Sequence, residues 1–446
     1  MKVFSLLSHR ELFGTEPSEA QLLELLRGVS STALTKYAAK ICHCQAVMEA
    51  ADIPTEKLAD HSKKFIQKRT PSHFATIIEN KTSQKFIYRK TLWVIADQHR
   101  VANLIAAYAR GNPSVHEGDE SPDQIERLVR AQLMVNDLTA PPDLHSTEPI
   151  QSFPAEQILH TYAMSRGWAP DRTLPRAYEL FIMRLGAAEP EFLEAVERRF
   201  EFSVLAVLSS LYAVFARAFL ASATRQETGR FPFPRGIIDF GHFHPTHPGG
   251  MAFERVIREY SSSWKDLHEK FSKSRLDNRA VRFFLAKPFI QLGEGQFWCF
   301  DPGLSGVAAS NGLLWLIRSA LEDPVSEAQR LFRSVGKVYE DYIADLLLHA
   351  GPTGASERGD SLGDGMPDLL VWEGQTLIAI EAKASTMPEE VKWSASKEGL
   401  AAELAKKIVK ENQLAKAIAR YAEHLTRARL TTGFILDTST GLNWTP

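Results

Sequence analysis

The chain has 446 residues, 44% of them hydrophobic and 24% charged, enough for two to four domains of roughly 100–200 residues each. That balance excludes a disordered, collagen-like or disulfide-stapled protein. The 52 Lys and Arg nearly match the 54 Asp and Glu, a net charge of −2, so attraction to DNA or acidic lipid has to come from a local patch.

In chain order, Met1 to Arg10 lacks the apolar stretch of a signal peptide. The first hundred residues read as helical, since Glu19–Leu26 and the stretch from Trp93 to Arg110 space their apolar residues three to four apart. Cys42 and Cys44 flank His43, but near neighbours on a helix point apart and no second ligand pair stands at zinc-like spacing, so no metal is expected there. With Cys299 these three cysteines fit a reducing cytoplasm. His61 to Lys90 holds eight Lys and Arg against Glu79, with Phe65, Phe74, Phe86 and Tyr88 interleaved. That run reads either as a face that tracks phosphates or as a solvated helix face whose aromatics belong to the core.

Residues 111–123 and 137–154 are polar or proline-bearing and read as loops, after which helical spacing runs from about Ala155 to Arg225. Within it, Phe202 to Thr224 has 23 residues and one charge, Arg217. An arginine near the middle of a bilayer helix costs roughly 2.5–3.5 kcal/mol, which with four serines favours a helix buried in a soluble domain. Asp239 to Gly250 reads as a loop. In it His242, His244 and His247 are spaced to hold zinc or another transition metal, or simply sit in a solvated loop. Arg282–Leu285 and Gln296–Phe300 are expected to pair as a hairpin around Gly293 and Gly295. A helix, Gly312–Leu321, leads to a domain boundary at Pro324. Three domains are expected: a helical one at 1–110, a mainly helical one with a small β-hairpin at 150–325, and an α/β domain at 326–446.

The sharpest chemical signal lies in that last part. Asp368–Trp372 reads as a strand, Glu373-Gly374 as a turn and Thr376–Lys383 as the returning strand. Glu381 and Lys383 thus interrupt an apolar run, and buried charges are costly unless paired or metal-bound. A turn centred on Glu373-Gly374 pairs Trp372 with Gln375 and Asp368 with Ala379, so Asp368, Glu381 and Lys383 share a face. Asp368 and Glu381 then lie diagonally, roughly 7–8 Å apart between backbones, within reach of one divalent cation. An ordinary hairpin ending in a Glu381–Lys383 salt bridge has the same pattern.

Pro367-Asp368, twelve intervening residues and Glu381-Ala382-Lys383 resemble the signature of the PD-(D/E)xK nuclease superfamily. Gly336–Leu347 resembles its first core helix, with Glu340 at the border of the apolar stripe of Ile343 and Leu347; Asp341 and Asp345 lie further round and read as solvated. The amphipathic Glu398–Leu425 and the strand-like Thr432–Asp437 follow in the superfamily's order. The strand that usually separates the first helix from the aspartate is not evident in the glycine-rich His349–Met366. The resemblance covers Glu327–Asp437, about a quarter of the chain. It implies a restriction-endonuclease-like α/β core at the C-terminus, preceded by a large, mainly α-helical region.

It further implies metal-dependent hydrolysis of phosphodiester bonds, of DNA in preference to RNA. Mg²⁺ or Mn²⁺ would be held by Glu340, Asp368, Glu381 and the carbonyl of Ala382. Lys383 would position the attacking water and stabilise the pentacovalent phosphate. Gln413 would orient substrate. Lys397, Lys406, Lys407 and Lys410 belong to a stretch with five more basic than acidic residues, and either line the DNA path or solubilise a helix. A large helical region joined to such a nuclease resembles bacterial defence proteins against foreign DNA such as phage, the N-terminal region sensing, dimerising or recruiting an activating partner. Two other classes remain open: a catalytically silent nucleic-acid-binding or sensor protein on a nuclease fold, and a membrane-associated protein anchored through Phe202–Thr224.

Overall fold

The computed structural model describes residues 3–6, 8–50, 64–83, 91–94, 98–139, 170–228, 236–240, 248–273, 279–310, 312–323, 325–349, 356–358, 368–373, 376–380, 402 and 419–423. These are mostly helical, with small sheets of two, four and three strands. The chain divides into two compact units, residues 1–328 with 393–395, and residues 329–392 with 396–446.

The first unit opens with β1 (Val3–Leu6), α1 (His9–Phe13), α2 (Glu19–Leu26), α3 (Ser31–Ala50) and α4 (Ser72–Ser83). Then come β2 (Thr91–Val94), α5 (Gln98–Gly111) and α6 (Pro122–Leu138). Ser8 with Glu11 and Ser18 with Gln21 exchange side-chain and backbone hydrogen bonds at the starts of α1 and α2, and such N-caps contribute about 1 kcal/mol each. The helix expected at Glu19–Leu26 has those bounds. Trp93, expected to begin a helix, lies instead in β2, which pairs in parallel with β1; the helix starts at Gln98. Thr91-Leu92-Trp93-Val94 is rich in β-branched and aromatic types, and that preference prevails over the helical spacing downstream.

After 170 the chain forms α7 (Pro170–Ala177), a π-helix (Tyr178–Leu185), α8 (Pro190–Phe200) and α9 (Val204–Thr228). Pro175 has no N–H to give the helical ladder, and the wider π pattern follows it within three residues. On α9, Val204, Val207, Leu208, Leu211, Val214 and Phe215 are buried while Leu205 and Tyr212 are exposed, the spacing of a core helix with one wet face. Among the described residues no single helix is long and apolar enough to cross a membrane; Pro190–Phe200 and Val204–Ala216 reach that composition only as a pair bent by 70°.

The unit continues with β3 (Ile237–Asp239), α10 (Pro248–Glu259), β4 (Ser261–Ser263), α11 (Trp264–Ser272), α12 (Arg279–Ala286), β5 (Phe289–Gly293), β6 (Gln296–Trp298), α13 (Pro302–Ala309) and α14 (Gly312–Ala320). The sheet order is β3-β6-β5-β4, with β4 parallel to β5 and the other pairs antiparallel. The two segments expected to form a hairpin do not pair with each other. Arg282–Leu285 is helical, because Val281 and Phe284, three residues apart, both enter the core with Phe283 packed beside them. The strand that pairs with Gln296–Trp298 is Phe289–Gly293, and the turn uses Gly295 at a φ of 69°.

One apolar core runs from Leu12 to Leu304 and joins Leu26, Tyr37, Leu104, Tyr108 and Leu128 to Trp264, Phe284, Trp298 and Phe300. Residues 1–110 and 150–325, expected as separate domains, therefore share one unit. Trp264 fastens the two parts: its indole N–H donates to the carbonyl of Asn112 (2.9 Å) and its ring meets Tyr108 edge-on with centroids 5.5 Å apart. The Tyr108 hydroxyl donates to the carbonyl of Val29 at 2.6 Å, and burial pushes its pKa from 10.0 to about 12. Because the unfolded chain releases this proton near 10, the contribution is complete below that value and is lost as pH rises through about 12. Urea midpoints should therefore fall more steeply between pH 10 and 12 in the parent than in Tyr108→Phe; equal slopes would show that this hydroxyl does not set alkaline stability.

The second unit contains most of α15 (Ser326–His349) and a sheet of β7 (Ser356–Arg358), β8 (Leu369–Glu373) and β9 (Thr376–Ile380), antiparallel in the order β7-β8-β9. The Asp323 carboxylate accepts from the backbone N–H of Val325 and Ser326 and from the Ser326 hydroxyl at 2.6 Å, which helps start α15. The hydroxyl is the main reason this carboxyl is held below its usual range. The boundary expected at Pro324 falls close to the division after residue 328. Of the helix expected at Glu398–Leu425, residues 402 and 419–423 are described and helical, with Tyr421 buried. Thr432–Asp437 lies outside the described residues.

Candidate functional site

The sheet of the second unit is built around apolar pairs. In the backbone register Leu369 pairs with Ile380, Leu370 with Ala379, Val371 with Ile378, Trp372 with Leu377, and the polar types Glu373 and Thr376 close the ladder. This differs by two residues from the expected register, in which Trp372 met Gln375 and Asp368 met Ala379. The reason lies in the residue types. The observed register matches four apolar pairs in succession and leaves Asp368 in a bend before the strand, whereas the expected one placed Asp368 inside the ladder against Ala379. A shift of two preserves which residues share a face.

The helix α15 covers one face of this sheet. Ala344 is buried against Leu369 and Val371, with Leu347 and Ile380 packed on the same cluster. Glu340 precedes Ala344 by four residues and Leu347 by seven, so it belongs to the sheet-facing stripe, and it is half-buried. Asp368, also half-buried, directly precedes Leu369. Glu381 directly follows Ile380 in sequence, and Leu369 and Ile380 are paired. Glu381, Ala382 and Lys383 themselves lie outside the described residues, as do Gln413, Lys397, Lys406, Lys407 and Lys410. Among the described residues no group of three or more His, Cys, Asp or Glu is placed to hold a metal ion.

Two features of this unit escaped the sequence. The first is β7, a strand inside the glycine-rich segment between helix and aspartate. Its residues Ser356-Glu357-Arg358 are all polar, as suits the edge position it takes among the described strands, so no apolar alternation marks it. The second is what Arg358 does. Its guanidinium donates from Nη1 to Asp341 Oδ1 at 2.5 Å and from Nη2 to Asp345 Oδ1 at 2.8 Å. Asp341 and Asp345, expected to be solvated, are two-thirds buried and paired to the sheet. Like charges at i, i+4 repel on a helix unless a cation bridges them, and that spacing was the available signal.

The competing surfaces resolve differently. In the basic run, Phe65 and Phe74 are buried in the core of the first unit, with Phe65 edge-on to Tyr37 at 5.9 Å. Lys64, Lys68 and Arg69 are exposed, so the described part has the form of a solvated helix face over core aromatics. Phe86 and Tyr88 lie outside the described residues, as do His242, His244 and His247. Asp239, at the end of β3, accepts from Gln296 Nε2 at 3.1 Å. Cys42 and Cys299 are buried. An open cavity of about 360 Å³ lies in the first unit, lined by Leu174, Pro175, Tyr178, Leu205, Leu208, Ser209 and Tyr212. It presents no carboxylate, imidazole or thiol for acid–base or metal chemistry.

Comparison with family models, curated proteins and solved structures finds no match to this chain.

Proposed function

We propose that the chain is a divalent-metal-dependent nuclease acting on DNA, with its catalytic centre in the second unit. The supporting observation is the Leu369–Ile380 pair, whose sequence neighbours Asp368 and Glu381 bracket one end of the hairpin, with Asp368 in a bend outside the strand alternation that turns Leu369 toward the helix carrying Glu340. Glu340 and Asp368 offer only carboxylate oxygens, the donors a hard cation such as Mg²⁺ or Mn²⁺ prefers, and neither is fully exposed. Glu340, Asp368, Glu381 and the carbonyl of Ala382 are the residues that would hold it. When bound, such an ion lowers the pKa of water and neutralises charge building on the phosphate. Lys383 orients the attacking water and donates to a non-bridging phosphate oxygen as its charge grows. The helical first unit, in this proposal, recognises the invader's DNA or a partner, in keeping with a role in bacterial defence.

Linear duplex, circular duplex and single-stranded DNA, and RNA, incubated with Mg²⁺, Mn²⁺ or EDTA, test the proposal. Cutting of DNA with either metal and none with EDTA is expected, and loss of the closed circle would mark an endonuclease. Cutting of RNA alone would overturn the substrate class. Tight nucleic-acid binding without cutting in any metal would favour the catalytically silent protein.

A further inference from the structure

We infer that Arg358 is a positioning residue for the metal centre proposed above, on which this inference rests. The geometry is specific. Arg358 is paired across the ladder with Leu369, the residue that follows Asp368. Its two guanidinium nitrogens reach Asp341 and Asp345, one helical turn apart, on the turn that begins directly after Glu340. One planar fork therefore ties the helical turn of one proposed ligand to the strand next to the other.

Among the described residues the apolar contact between helix and sheet is Ala344 against Leu369 and Val371, with Leu347 and Ile380 at its margin. Apolar contact is non-directional and does not by itself fix the sliding or rotation of a helix on a sheet. The two-point contact of Arg358 does limit both, because its nitrogens keep a fixed separation and orientation. A lysine has a single ammonium and cannot hold both carboxylates in that fixed geometry.

The sign of the effect separates positioning from charge. Arg358→Met removes a positive charge near the site, so a purely electrostatic role would tighten cation binding. Positioning predicts the opposite: Mn²⁺ affinity of the full chain, read by calorimetry, should fall about tenfold, the lower end of what supporting residues around metal sites contribute. Arg358→Lys keeps the charge but not the fork and should also weaken binding, by less. Hydrogen exchange of the metal-free protein should show faster exchange across 337–349 in both variants, a readout independent of catalysis. Unchanged or tighter Mn²⁺ binding in the Met variant would overturn the inference, even with a lowered melting temperature. Failure of the parent protein to bind Mn²⁺ would overturn the metal centre itself, and the parent's own titration shows which has failed.

Discussion

Asp368→Asn should remove Mn²⁺ binding and lower metal-dependent DNA cleavage by at least about 100-fold, the scale of losing one well-placed electrostatic stabiliser. The substitution keeps the shape of the side chain and removes its charge. Asp368 stands in the bend before β8, outside the apolar pairs of the hairpin. Lys383→Ala should behave differently, losing cleavage on a similar scale while retaining metal, because the amine acts on water and phosphate. Calorimetry and a cleavage time course on both variants check this. Parallel loss of helical circular dichroism in either variant would point to a structural role for the residue.

Phe284→Ala should destabilise the first unit by about 3–5 kcal/mol, the usual range for a fully buried aromatic. Phe284 is fully buried, and its ring lies 5.0 Å from Phe300, 5.4 Å from Phe283 and 6.1 Å from Phe271 between centroids. Its cluster also contains Leu104, Leu128 and Leu26, so the loss should spread to helices far away in sequence. Hydrogen exchange gives the discriminating readout: amides in α5 and α6 should lose protection together with those in α12. Unchanged protection across 98–138 would mean that the N-terminal helices fold without the later part, as separate domains would.

Where sequence and structure agree, a single local rule dominates. Ser18 and Gln21 form a capping box and Leu22 and Leu26 are buried four apart, so α2 is legible from eight residues. The α15–hairpin order was equally legible, since Glu340, Ile343 and Leu347 fix a stripe and two apolar strands flank a Glu-Gly turn. Disagreement arises where two patterns fit one run. Arg282-Phe283-Phe284-Leu285 is apolar enough for a strand, and only the burial of Val281 and Phe284 together decides for a helix. The hairpin register is a similar case, because both registers share the same faces and only the partner types separate them. Strand β7 has no apolar pattern at all and is held by backbone pairing and the Arg358 fork, which are long-range facts. The shared core of the first unit has the same origin: Trp264 and Asn112 are 152 residues apart, and no local spacing announces their hydrogen bond.

The most direct test of a metal-dependent nuclease is one assay on closed circular duplex DNA, with the full chain and Lys383→Ala side by side in Mg²⁺ and in EDTA. Nicked and linear products from the parent with Mg²⁺ alone, and an intact circle in the other three reactions, are expected. Equal cutting by the parent and by Lys383→Ala, or cutting that survives EDTA, would contradict the proposed chemistry at Asp368, Glu381 and Lys383.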